Sequence, residues 1–546
     1  MLRKAFDLLR NSPHSSIYIH FGVELLALAT PLSSAKVTVY EIVNKNWQFH
    51  KRLPKIKKGE DTCMYIGVDL GSTNLKAALY DENLNCIGQK GAPVEYFREN
   101  GFVEFDAEKY FESLTQILSQ LMAEHPGKVT QIAFTGQAES LVCLDADGKA
   151  VCNAISWMDE RSEEECKLLE RQFSAQECHR KTGQQAILPT WPATKILWLQ
   201  RNRPEIFGKV ATYMLLKDYI VYCLTGRKCA DMSIATFSFY FDIYGKCYWK
   251  QMLDAIGIAE AQLPELIEPC TVVGTLTPNV AEKTGLTTET QVNTGTLDHF
   301  AGMIGTGNTA PGGMTLSTGT TMVLTAMTDG IPNPDCDMAL HYGFLPDSYI
   351  MLPVMESGGV CLDWFRRTCM NNLDYDSLNK GILESSDTDI LFLPYLVGTN
   401  APEFDREACG TFFGLRQEHT NIQMAKAVME GVCFVLRKNV EDILSKGTKI
   451  SSIVATGGGA KSPVWCQLQA DITGLSVEVP AVTEAGCLGA AMIAAWTAGQ
   501  YENLQAAAKD VKMVRRYTPN GGAELEKKYR KFCKLYDAML EIAKED

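Results

Sequence analysis

Three short stretches of this 546-residue chain combine glycine with hydroxyl side chains, the first of them beside an acid, in a way that suits phosphate chemistry. In DLGST, Asp69 to Thr73, Gly71 permits a tight turn that bares backbone N–H groups, while Ser72 and Thr73 add hydroxyl donors and Lys76 follows within reach. MTLSTGTTMVLTAM, around Gly319, Thr320 and Thr321, repeats that layout in the second half of the chain, and TGGGAK sets Gly457, Gly458 and Gly459 in a row. Between them Asp298, flanked by Gly295 and Gly302, is a carboxylate at the start of a helix-like stretch. Phosphoryl transfer needs such parts: donors for the phosphates, a carboxylate for a metal and a base for the attacking hydroxyl. Taken singly, each has a plainer reading. DLGST and STGTT are also ordinary turns between strands, and Asp298 is also a helix N-cap.

The elements that must hold these residues follow from periodicity. MYIGVDL, GST and NLKAALYD predict a β-hairpin, with a third strand over 85–91 and an amphipathic helix over 106–125. VTQIAFTGQ reads as a buried strand, and helices are predicted over 160–173, 194–202, 216–225, 421–446 and 462–473. The small residues of EAGCLGAAMIAAW, 484–496, predict a helix that a neighbour can approach closely. Two similar hairpins, each opening an α/β unit, suggest an internal duplication, with two related domains facing a cleft and a short hinge near 306–313.

Composition narrows the classes. A formal net charge of −13 argues against a nucleic-acid surface, and no apolar run is long enough to span a membrane. The 18 cysteines include no C-x-x-C pair, which predicts reduced thiols and a cytoplasmic protein. The phosphate cradle is not a Walker loop, because G-x-x-x-x-G-K-[ST] is absent; GTGNTA at 305–310 follows a helix rather than a strand, so a dinucleotide site is rejected. Residues 1–63 carry a net +5 and the remainder −18. They are expected to be an extension outside the domain structure, an upstream over-extension of a reading frame that starts at Met64.

From Met64 onward the chain resembles the FGGY carbohydrate kinases of the actin-like ATPase superfamily. GTLDHFAGMIGTG at 295–307 is similar to the family's catalytic segment, STGTTMVL at 317–324 to its second phosphate hairpin and ATGGGAKSPVWCQLQADITG at 455–474 to its adenosine segment. PATKILWLQRN at 192–202 resembles a further signature, departing from it where Thr190 replaces an aromatic, Met, Gly or Ser. The resemblance implies an α/β fold of two actin-like, ribonuclease H-like ATPase domains with a cleft between them, 64–308 for sugar and phosphate and 309–546 for nucleotide. It implies ATP as donor and Mg2+ on Asp69, directly or through water. Phosphate contacts would come from Ser72, Thr73, Lys76, Gly319, Thr320 and Thr321, and adenosine contacts from Gly457, Gly458 and Gly459, with Gly359 in the same wall. Asp298 would be the general base, and the acceptor would meet Ala138, Glu139, Trp157, Asp159, Asp298 and His299.

Glycerol kinases carry Arg-Glu where this chain has Ala138 and Glu139, and xylulokinases carry Met-His, so it matches neither. LLKDYIVYCLTGRKCADMSIA and LFLPYLVGTNAPEFDREACGTFFGL are more similar to the xylulokinase branch. The expected acceptor is a ketopentose such as xylulose; polyols of the erythritol or glycerol type, other ketoses and gluconate stay open. A rival of another class, an actin- or chaperone-like ATPase, shares the hairpins and the adenosine loop but needs neither an Asp298 base nor the PATKILWLQRN segment. A homodimer would be in keeping with the family.

Overall fold

β1 (Met64–Leu70) is buried at every position but Asp69, as expected of a strand covered on both faces. A tight turn returns the chain as β2 (Asn74–Tyr80), antiparallel with Asp69 opposite Lys76, and β3 (Cys86–Pro93) continues the sheet. The structure, a computed structural model, describes residues 63–336, 338–405 and 407–543. The expected N-terminal extension therefore lies, apart from Cys63, outside the described residues.

α1 (Ala107–Glu124) starts where Asp106 accepts hydrogen bonds from the N–H groups of Glu108 and Lys109, and it buries Leu114, Leu118 and Leu121 against the sheet. It leads into β4 (Val129–Gly136), parallel to β1. A satellite sheet follows, built in part from β5 (Leu141–Leu144) and β6 (Ala154–Ile155). α2 (Glu163–Glu170) and α3 (Pro192–Asn202) come next; Pro192 fits the first turn of α3, where a missing N–H leaves nothing unsatisfied. β7 (Thr212–Leu215) joins the satellite sheet and α4 (Leu216–Thr225) ends on Gly226 in the left-handed conformation. β8 (Val272–Thr275) and β9 (Gln291–Asn293) complete the first large sheet in the order β8-β9-β4-β1-β2-β3, with β9, β4 and β1 parallel.

α5 (Asp298–Gly305) carries the chain to a second lobe on the same plan. β10 (Gly313–Thr318) and β11 (Met322–Met327) form its opening hairpin, with Thr318 opposite Met322. β12 (Leu340–Tyr342), β13 (Tyr349–Met351), α6 (Gly359–Cys369) and the long α7 (Asn421–Ser445) follow. β14 (Ser452–Gly457) lies parallel to β10, and α8 (Pro463–Thr473) leads to β15 (Ser476–Pro480). After α9 (Ala485–Thr497), β16 (Met513–Tyr517) closes the sheet in the order β12-β13-β11-β10-β14-β15-β16.

α9 is the helix predicted from its small residues, and its backbone meets the first lobe directly. A Cβ on Gly489 would fall 1.9 Å from Ala301 O, one on Gly305 2.0 Å from Ala485 O and one on Gly67 1.9 Å from Cys487 O. α9 thus crosses α5 and lies on β1 with main chain against main chain, which only glycine allows. Its Ala490, Ile493, Ala494 and Ala495 share an apolar core with Tyr65, Ala133 and Phe300. Residues 61–546 consequently form one compact unit. Among the described residues no helix is long and apolar enough to cross a membrane.

Candidate active site

The candidate residues sit where parallel strands end. β1 delivers Asp69 and then the turn 71–73. A Cβ on Gly71 would stand 2.5 Å from Asn74 O, so this turn requires glycine, and the Tyr110 hydroxyl and Val94 N–H hold its carbonyls at Gly71 and Thr73 at 3.0 Å each. Thr73 is exposed and Ser72 half-buried, which leaves both hydroxyls at the rim.

Lys76, expected to reach phosphate, donates instead to Glu484 Oε2 at 2.7 Å, immediately before α9. Gly486 follows so closely that a Cβ there would lie 3.3 Å from Asp69 Oδ2. Burial pushes the Asp69 carboxyl up to about 7, the charges of Asp298 and Glu484 push the same way, and Lys76 opposes them.

Asp298 is the first residue of α5. The cap position belongs to Leu297, whose side chain makes no capping bond, so the carboxylate is not consumed as an N-cap. Its Oδ1 accepts the His299 N–H at 2.6 Å, and the side chains of Asp298 and His299 are 39% and 35% exposed, accessible to a ligand.

Glu139 lies in the loop between β4 and β5 with φ of +62°, a left-handed conformation unusual for a side chain of its size. Burial raises its carboxyl, Asp298 adds to the rise, and Lys195 and the Thr190 hydroxyl oppose it. Glu139 and Asp298 are therefore close enough to sense each other. Ala138 is half-buried beside Glu139, and Trp157, 40% exposed, donates its N–H to Ser140 Oγ at 3.1 Å in the same loop.

Asp159 is placed differently from the expectation of a sugar contact. It has no exposure; its Oδ2 accepts from Val103 N at 2.6 Å and Arg161 Nη2 at 2.7 Å, and its Oδ1 from Arg161 Nε at 2.8 Å and Arg161 N at 3.0 Å. The Arg161 guanidinium lies over the Phe102 ring at 4.0 Å and the Trp198 ring at 4.9 Å. Four donors and full burial commit this carboxylate to holding an arginine, because an ion pair taken out of water needs all its lone pairs satisfied.

The second lobe gathers the glycine turns. The Gly319 N–H donates to Thr321 O at 2.9 Å, and Gly359 N and Val360 N, at the start of α6, donate to Gly319 O at 2.8 Å and Thr320 O at 3.1 Å. A Cβ on Gly359 would be 2.4 Å from Gly319 O, which explains the glycine there. At the end of β14, Gly457 has φ of +78° and packs on Thr318 O, while Gly459 packs on the Thr318 side chain. Gly457 and Gly458 are exposed and Gly459 is buried. The second hairpin, Gly359 and the triple glycine are thus one continuous wall.

Sequence reasoning gave no role to Glu484 or to the individual residues of PATKILWLQRN. Glu484 lies 408 residues from its partner Lys76, with no local pattern to join them. Lys195 did leave a signal: a lysine between Thr194 and Ile196 in a helix otherwise apolar on that face.

Two duplicated lobes with strand-end turns and interlocked α5 and α9 define the actin-like ATPase fold. The model of the FGGY carbohydrate kinase N-terminal domain matches residues 64–305 and that of the C-terminal domain residues 314–498, so the chain belongs to the FGGY family of carbohydrate kinases and is a sugar kinase. The family uses ATP as phosphate donor. The chain is 30% identical over 486 residues to the xylulose kinase of Escherichia coli, covering 88% of this chain and 100% of that one. It is 27% identical over 479 residues to a gluconokinase of Bacillus subtilis, covering 84% and 92%. The ligand-bound xylulose kinase of Lactobacillus acidophilus superposes with a TM-score of 0.81 at 26% identity, covering 88% and 98%.

Proposed function

We propose that this kinase transfers the terminal phosphoryl group of ATP to a hydroxyl of a ketopentose such as xylulose, with Asp298 as general base. The observation that carries the reading is the state of Asp298: accessible, free of capping duty and within electrostatic range of Asp69 and Glu139. In this reading Asp298 takes the proton of the attacking hydroxyl while His299 and Glu139 line the acceptor site. Trp157 supplies an apolar face and Ala138 leaves room beside it. Ser72, Thr73, Thr320 and Thr321 turn their donors to the phosphates from turns that Gly71 and Gly319 shape, and Gly359 with Gly457 to Gly459 supports the nucleoside.

The donor set suits Mg2+. Asp69 and Asp298 are hard oxygen donors that raise each other's energy when both are ionised, and among the described residues no cluster of three or more His, Cys, Asp or Glu stands ready to hold a metal alone. That is the pattern of an ion shared between one or two carboxylates and the phosphates. Asp69 would hold it, and the ion would neutralise charge on the phosphates.

Charge favours a neutral acceptor. The acids Asp69, Asp298, Glu139 and Glu484 outnumber the lysines that act on them, Lys76 and Lys195, so a sugar acid would meet the greater repulsion. The relatives named xylulose kinase support the ketopentose; the relative named gluconokinase makes gluconate the necessary control. The test is a panel of D-xylulose, L-xylulose, glycerol, erythritol and gluconate with MgATP, read by coupled ADP release. The highest kcat/KM is expected with a ketopentose. Preference for gluconate or a polyol would overturn the acceptor, and sugar-independent hydrolysis as fast as the best sugar rate would overturn the transfer step.

A further inference from the structure

The role of PATKILWLQRN is not accounted for by the chemistry above. Lys195, in the first turns of α3, has no exposure, and its neighbours Thr194 and Ile196 are equally buried. An ammonium taken out of water is strongly disfavoured unless its protons find acceptors. Here Nζ donates to Ser156 O at 2.8 Å and to Glu139 O at 3.4 Å, and the Glu139 carboxylate is the strongest of the charges that favour its ionised form, followed by Asp159.

These two carbonyls belong to different loops. Glu139 lies in the β4–β5 loop, and Ser156 immediately precedes Trp157. The loops are bonded again through Ser140, whose hydroxyl accepts from Trp157 N at 3.1 Å and donates to Gln137 Oε1 at 2.8 Å. Glu139 is also held at a positive φ that an unrestrained glutamate would leave.

We propose that Lys195 is a positioning residue that staples the Glu139 loop to the Trp157 loop, so that the helix of the PATKILWLQRN signature fixes the shape of the acceptor wall and not the phosphoryl-transfer machinery. The inference rests on the reading of Glu139 and Trp157 as acceptor contacts. Thr190, where this chain departs from the family pattern, adds its hydroxyl to the same carboxylate. Lys195 pulls on the backbone of one loop, the backbone of the other and the side chain expected to bind a sugar hydroxyl. Without it the Glu139 carboxyl would lose both its counter-charge and its anchored main chain.

The test compares wild type, Lys195→Met, Glu139→Gln and the double variant with D-xylulose and MgATP, with ADP binding by calorimetry as a check that the nucleotide lobe is intact. Lys195→Met is expected to raise the sugar KM by about 10- to 100-fold, the scale on which misplaced binding groups act, while the ATP KM and ADP affinity stay within about threefold. The double variant should be no worse than Lys195→Met, because the lysine acts through Glu139. If Lys195→Met does not fold, the double variant, which removes both buried charges, carries the same comparison against Glu139→Gln. Equal effects on the sugar and ATP constants, no effect on either, or fully additive losses in the double variant would overturn the proposal. Absence of D-xylulose turnover in the wild type speaks against the acceptor assignment instead, and the same ratios are then read with the preferred sugar of the panel.

Discussion

Replacing Asp298 by Asn separates chemistry from folding at one atom. The amide keeps an acceptor for the His299 N–H, the residue has no capping bond to lose, and its side chain is 39% exposed, so stability should change by no more than about 0.5 kcal/mol. Turnover should fall by the worth of a general base, about 10² to 10⁴, or roughly 2.7 to 5.5 kcal/mol of barrier. Nucleotide binding should hold or tighten, because Asp298 raises the Asp69 carboxyl and its removal lets Asp69 ionise more readily. Thermal melting measures the first effect, coupled ADP release the second and calorimetry with MgADP the third. A kcat within tenfold of wild type would refute the base assignment. A large loss of kcat matched by weaker nucleotide binding and a lower melting temperature would show that the residue is structural.

Four further outcomes are expected. Asp69→Asn should abolish turnover yet stabilise the ligand-free protein. Its carboxyl titrates about 7 in place of 3.8, so the folded state is penalised as pH rises through that window; the gain should be absent near pH 4 and complete above pH 7, as followed by melting across pH. Asp159→Asn should lower stability by about 3 to 5 kcal/mol through the half-stranded Arg161, whereas a residue that only touched sugar would leave the melting temperature unchanged. Gly489→Ala places a Cβ against Ala301 O and should cost about 1 to 3 kcal/mol of overpacking, with kcat down by about 10² as α5 and its Asp298 shift; an unchanged melting curve would show that α9 gives way freely. Lys76→Met should raise the ATP KM with stability changed by less than about 1 kcal/mol, since the Lys76–Glu484 pair is about one-third exposed on each side; an unchanged KM would mean that Lys76 stays with Glu484 throughout the cycle.

Local rules carried far along this chain. The turn at Gly71, the capped start of α1 and the small-residue face of α9 are each legible because a neighbour in sequence dictates them. The matching hairpins told of duplication for the same reason. What escaped depends on partners remote in sequence. Asp159 reads as an accessible acid until Phe102 and Trp198 close over Arg161, and nothing near Lys76 in sequence announces the Glu484 that α9 brings beside it. The first residue of α5 was legible as a helix start, but only the structure shows the cap falling to Leu297 and the Asp298 carboxylate left available.

The crossing of α5 and α9 bears on how the protein is made. The interior of the first lobe takes Ala490, Ile493, Ala494 and Ala495 from a helix near the end of the chain. During synthesis at about 5 to 20 residues per second, β1 and β4 must wait for most of the polypeptide before the face around Gly67 is covered. The nascent first lobe therefore leaves the ribosome with an open apolar seam, and its core is complete only when translation delivers the helix that closes it.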